Sequence, residues 1–143
     1  MSVPSFALAK FSVYKSKSFA RFARKTRIKD RDLWETVRLV HAGAIDANLG
    51  GGVIKQRIAR AGQGKSGGSR AVALFRFKGR IVFVYGFEKK DRENIDAREL
   101  EAFKELANVI LGYSDAEIRK RVIDGALIEV QPPLESEDAE EIS

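Results

Sequence analysis

Lys55 and Arg57 alternate along the segment VIKQRIA (residues 53–59), so on an extended chain their side chains share a face. Arg60, Lys65 and Arg70 cluster in the adjoining segment RAGQGKSGGSR (60–70), and Lys89, Lys90 and Arg92 fall within EKKDREN (88–94). If the strands carrying these segments pair antiparallel, the cations meet on one edge or face of a sheet. Grouped lysines and arginines bind phosphate oxygens. The glycines among them, Gly67 and Gly68 with Gly62 and Gly64, let backbone N–H groups approach the same oxygens. Taken singly, Lys89 and Lys90 read as a solvated turn and the glycines as a flexible hairpin loop. Taken together, the cations read as a phosphate-binding groove.

Other chemistries are poorly served. The run GQGKSGG lacks the spacing of a phosphate loop: Ala59 stands where a glycine is needed five positions before Gly64, and the segment that follows alternates like a strand instead of opening a helix. His41 is the single histidine, which excludes a two-histidine ribonuclease mechanism; its place late in a helix suits capping or packing. With no cysteine there is no thiol nucleophile, disulfide or Cys-based metal site. Ser66 and Ser69 have no evident histidine partner for acyl transfer. Glu88 and Lys90 have the Glu-x-Lys spacing of a metal-dependent nuclease. That chemistry needs a second carboxylate on the preceding strand, and AVALFRF (71–77) has none. No metal and no other cofactor is expected.

The elements that must position these side chains follow from periodicity. KFSVY (10–14) alternates and reads as a short strand. Lys17–Thr26 reads as a helix with Phe19, Phe22 and Ala23 on one face, and Asp30 caps a second helix running to about Ala42 with Leu33, Trp34, Val37 and Val40 inward. These two are expected to form an α-hairpin with an apolar seam. The period then changes: Val53–Ala59, Ala71–Phe77 and Arg80–Phe87 read as strands, the last two joined by a tight turn at Lys78-Gly79. Ala97–Leu111 is an amphipathic helix. Ser114 and Glu117 make a capping box for a last helix ending near Gly125, and Ala126–Val130 has room for one more strand. The class is α+β: an N-terminal helical hairpin packed on a small twisted, antiparallel-rich sheet, followed by C-terminal helices.

At 143 residues and 44% hydrophobic, the chain can build one domain with its own core. Its charge is uneven. Residues 131–143 (QPPLESEDAEEIS) hold five of the 20 acids and none of the 26 bases, so residues 1–130 carry +11 against +6 for the whole chain. Such a body favours polyanions: nucleic acid first, then acidic membrane, then acidic protein. The expected division is a single domain over 1–130 and an acidic, disordered tail over 131–143. The N-terminus does not read as a signal peptide and no apolar run reaches the roughly 20 residues of a membrane span, so a cytoplasmic protein without a membrane partner is expected.

The segment GGGVIKQRIARAGQGKSGGSR (50–70), followed by FRFKGRIVFVYGFEKKDRENI (75–95) and an amphipathic helix, resembles the RelE-like toxins of bacterial toxin–antitoxin modules. KSKSFARFARK (15–25) and LGGGVIKQRIARAGQGKSGG (49–68) are most similar to the HigB-like branch, and the likeness covers roughly residues 10–112. The resemblance implies a compact fold of helical hairpin, antiparallel sheet and later helix. It also implies ribosome-dependent cleavage of messenger RNA, and inhibition by a tightly bound antitoxin, typically a helix-turn-helix DNA-binding protein. RNA carries its own nucleophile, the 2′-hydroxyl, so no metal is obligatory and clustered Lys and Arg can supply the charge. By resemblance Arg70 binds the scissile phosphate, Lys55 or Arg57 matches a strand lysine used as base or phosphate ligand, and Lys89 or Lys90 matches a basic pair after the last strand; Arg60, Lys65, Gly67, Gly68 and Arg92 complete the RNA-binding set. Ser69 stands where the family often has tyrosine, and no Tyr or His stands near Ile95 and Asp96. The catalytic set is then purely basic, or the branch is weak or has another target. The alternatives on the same fold are a ParE-like gyrase poison and a plain RNA-binding module.

Overall fold

Two helical layers enclose a mixed six-stranded sheet in the computed structural model, which describes residues 12–58, 68–76 and 79–133. The expected strand start at 10–11, residues 59–67 with Arg60, Lys65 and Gly67, residues 77–78 and the acidic tail from 134 onward lie outside the described residues. The strands are β1 (Ser12–Ser16), β2 (Ala47–Gly50), β3 (Val53–Arg57), β4 (Ser69–Arg76), β5 (Arg80–Glu88) and β6 (Leu127–Glu129). The helices are α1 (Lys17–Thr26), α2 (Asp30–His41), α3 (Ala97–Ile110) and α4 (Asp115–Ile123). The sheet order is β2-β3-β4-β5-β1-β6. Among the described strands only β1 and β5 run parallel; the other neighbours are antiparallel.

Alternation along the strands builds two cores. Ile54, Ala71, Ala73, Ile81 and Phe83 face α1 and α2, where they meet Phe19, Ala23, Leu33, Trp34, Val37 and Val40. Val53, Val72, Leu74, Val82 and Phe87 face α3 and α4 and meet Ala107, Ile110 and Ile118. Phe19 and Phe83 are fully buried and stacked with ring centroids 5.4 Å apart, and each such side chain contributes about 1.5–3 kcal/mol by leaving water. Local signals fix the helix starts. Ser16 Oγ accepts the Phe19 N–H at 3.1 Å, and reciprocal capping boxes open α3 (Asp96, Glu99) and α4 (Ser114, Glu117).

A strand precedes the two N-terminal helices, as the alternation of KFSVY leads one to expect, but the packing of those helices departs from the expected hairpin. They turn their apolar faces onto the sheet and do not close on one another as a hairpin with its own seam. β1 runs past Tyr14 as far as Ser16, which caps α1, and residues 12–15 align with Arg80–Phe83 of β5. The edge strand β2 is an addition to the expected elements; its sequence ANLG carries no strand signal, and its pairing with β3 holds it there. After β6 the Val130 carbonyl accepts from Trp34 Nε1 at 3.1 Å and the Gln131 N–H donates to Asp30 at 2.9 Å, which ties this segment to α2. Among the described residues, no helix is long and apolar enough to cross a membrane.

Candidate nucleic-acid interface

The β3–β4 register sets Arg57 directly opposite Arg70 and Lys55 opposite Val72; the β4–β5 register continues the two rows to Phe87 and Tyr85. Paired residues project to the same side, so Lys55, Arg57, Arg70, Tyr85 and Phe87 share the α3 face at one end of the sheet. α3 begins only at Ala97, and Arg57 is left exposed with Arg70 half-buried. Arg70 donates to the Ser69 carbonyl at 3.3 Å, and the Arg57 backbone N–H donates to Asp46 at 2.7 Å. Among the described residues, neither guanidinium enters an ion pair.

The segment leading into α3 braces this face. Lys55 Nζ donates to Asn94 Oδ1 at 3.1 Å. Arg92 donates to the Tyr85 hydroxyl at 3.0 Å, to both oxygens of Glu99 at 3.0 and 2.6 Å, and to the Asn94 carbonyl at 3.0 Å, and its guanidinium lies over the Tyr85 and Phe87 rings. The Arg92 hydrogen bonds, with a backbone N–H from Asp96, hold the Glu99 carboxyl down at about 2; Glu99 and Tyr85 in turn push Arg92 further above its ordinary range. Arg92 therefore spends its charge inside the chain and acts as a clamp on Tyr85.

The last basic pair divides. Lys89 is exposed beside Gly68, whose carbonyl accepts the Lys89 N–H at 2.7 Å. Lys90 opens on the other side of the sheet, into a cavity of about 720 Å³ that is also lined by Lys25, Arg27, Lys29 and Arg31. Glu88 lies on that side too, accepting the hydroxyl of fully buried Ser69 at 3.0 Å. The Glu88–Lys90 pair is thus set away from the arginines, and among the described residues no group of three His, Asp or Glu is placed to hold a metal. His41 ends α2 in its last turn.

Of the ten candidate residues, the sheet brings Lys55, Arg57 and Arg70 together, the α3 approach adds Arg92, and Gly68 and Lys89 sit at the strand ends. Sequence reasoning missed Asn94 and Glu99, and gave Tyr85 no role in the site. Tyr85 and Phe87 carried a detectable signal, the alternation of RIVFVYGF, but the bulge opposite Val72–Ala73 resets which of its residues face α3. A family model described as the RelE toxin of the RelE/RelB toxin–antitoxin system matches residues 11–130. No curated protein matches the chain.

Proposed function

Since the chain belongs to the RelE toxin family, whose members act within toxin–antitoxin systems, we propose that it is a metal-independent endoribonuclease that cleaves messenger RNA on the ribosome. One observation carries the reading. Arg57 and Arg70 stand directly cross-strand as like charges, an arrangement that destabilises a sheet unless an anion sits between them. A phosphodiester is such an anion, and two guanidiniums can each take one of its non-bridging oxygens.

The chemistry then needs a base and an acid on either side of the phosphorus. Lys55 and Tyr85 flank Val72 in one row of the sheet, two strand spacings or roughly 9–10 Å apart at their Cα atoms. Lys55, steadied by Asn94, takes the 2′-hydroxyl proton. The 2′-oxygen attacks phosphorus and the bond to the 5′-oxygen breaks. Tyr85, whose oxygen accepts from Arg92 and so leaves its own proton to give, protonates the leaving oxygen. The products are a 2′,3′-cyclic phosphate and a 5′-hydroxyl. Arg57 and Arg70 stabilise the charge that builds on the phosphorane oxygens. Gly68 and Lys89 form the RNA-binding rim and Arg92 positions Tyr85; Arg60, Lys65 and Gly67, outside the described residues, are assigned to RNA binding by their chemistry alone.

In this reading residues 1–130 are the toxin domain of a HigB-like branch, the acidic residues 131–143 are an appendage, and the antitoxin is a helix-turn-helix protein. The test is induced expression without antitoxin of the wild type and of Arg70→Ala, following growth and mapping transcript 5′-ends. Arrest with new 5′-ends, both lost in Arg70→Ala, is expected. Arrest with intact transcripts and altered DNA topology would move the assignment to a gyrase poison.

A further inference from the structure

The cavity between α1, α2 and the end of β5 has a second set of cations that the proposed chemistry does not use. Lys25, Arg27, Lys29, Arg31 and Lys90 line it, and among the described residues none of the five is in an ion pair. Of the acids in its wall, Asp32 accepts the Lys29 backbone N–H at 2.8 Å and Glu88 accepts the Ser69 hydroxyl. Asp91 is exposed at the rim. The lining therefore carries an excess of positive charge.

Two of these cations occupy positions whose backbone favours other residues. Arg27 follows α1 with φ +61°, the left-handed conformation in which helices usually end on glycine, and it is the single non-glycine residue with positive φ among the described residues. Lys29 is the N-cap of α2, where Ser, Thr, Asp or Asn would accept a first-turn N–H; lysine has no acceptor and makes no side-chain cap. Stability given up at two neighbouring positions, each time for a positive charge facing one cavity, is the pattern of a ligand site.

The cavity also connects to the arginine face. The pairing of β1 with β5 ends at Lys15–Phe83, which leaves Tyr85–Glu88 with an open edge. A smaller pocket of about 240 Å³ runs along that edge, sharing Tyr85, Phe87 and Arg92 with one side and Lys25 and Asp91 with the other. We infer that the cavity is a second phosphate-binding site, holding the backbone of the same single-stranded RNA a few nucleotides from the cut. This rests on the endoribonuclease reading for which strand arrives, but the cavity's affinity for a polynucleotide stands independently of cleavage.

The test is binding of uncuttable 2′-O-methyl RNA, one oligomer of about 4 and one of about 16 nucleotides, across a salt series. The variant is Arg27→Gly with Lys29→Ser, which removes two charges while restoring residues the backbone prefers, so the fold is retained and an unfolding curve verifies it. Each cation held against a single-stranded phosphate contributes about 0.7 to the slope of log affinity against log salt. Without two such cations the long oligomer should bind about 25-fold more weakly near 0.1 M salt, with a shallower salt dependence, and the short one should bind as before. Equal loss for both lengths, or loss for neither, overturns the proposal. Unchanged RNA binding with weakened antitoxin binding also overturns it, and gives the cavity to an acidic protein segment. Arg57→Gln separates the two readings. If it leaves both oligomers unaffected while the cavity variant still loses the long one, the arginine face fails and the second site stands.

Discussion

Removing one charge from the Arg57–Arg70 pair should make the protein more stable and less able to bind RNA. Directly opposed cross-strand residues hold their Cβ atoms about 4.5–5.5 Å apart, close enough for two guanidiniums to approach to roughly 6 Å. Two unit charges at that distance repel by about 0.7 kcal/mol in bulk water and about 3 kcal/mol at an effective dielectric of 20. Arg57 is exposed and Arg70 half-buried, so the lower end applies. Arg57→Gln, which keeps chain length and polarity, should therefore stabilise the fold by about 0.5–1 kcal/mol at low ionic strength. For a chain of this size that is a rise of about 2–4 °C in Tm. The gain should shrink as salt is raised, because the Debye length falls to about 8 Å at physiological ionic strength. The assay is thermal unfolding of both proteins at about 10 mM and about 300 mM salt. A loss of stability, or a gain indifferent to salt, would refute the reasoning, since the arginines would then be satisfied within the chain.

Three further outcomes follow from the packing and the capping. A Cβ on Gly86 would fall 2.1–2.7 Å from three ring atoms of Phe22, so Gly86→Ala should cost about 1–3 kcal/mol in urea unfolding, and Phe22→Leu in the same chain should recover part of it. The Glu99 carboxyl is held at about 2 against an ordinary 4.5, so its contribution to stability is complete above about pH 4.5 and is lost as pH falls toward 2; Glu99→Gln should flatten the acid arm of Tm against pH in that window, and parallel arms would contradict the Arg92 clamp. Lys29→Ser alone should raise stability by about 0.5–2 kcal/mol by supplying the missing cap to α2, measured by urea unfolding.

The helices were legible in the sequence because their signals are local. Ser114 with Glu117, the apolar spacing of Leu33, Trp34, Val37 and Val40, and the amphipathic run 97–111 each announce an element within one or two turns. The sheet was legible only in part. The β4–β5 pairing could be read from adjacent strands, whereas the parallel β1–β5 pair joins residues far apart in the chain and leaves no local mark. The site follows the same division. Cations on VIKQRIA and at Arg70 were evident by type, but that Arg57 meets Arg70 depends on a register set across an intervening glycine-rich sequence. Lys90 shows the cost of that limit: the chain turns after β5 and delivers it to the opposite side of the sheet from Lys55. Arg92 reads as one more phosphate ligand until Glu99, a turn into α3, is seen to hold it.

The most direct test of the central claim is cleavage of a ribosome-bound messenger whose mapped cut site carries a single 2′-deoxy nucleotide, using the purified chain with EDTA present. Loss of cutting at that one position, with an RNA control cut to a 2′,3′-cyclic phosphate and no cutting by Arg57→Ala or Arg70→Ala, is the predicted result. Cutting of the deoxy-substituted messenger at the same position would contradict it, because the nucleophile would then not be the 2′-hydroxyl that the arginine face is proposed to serve.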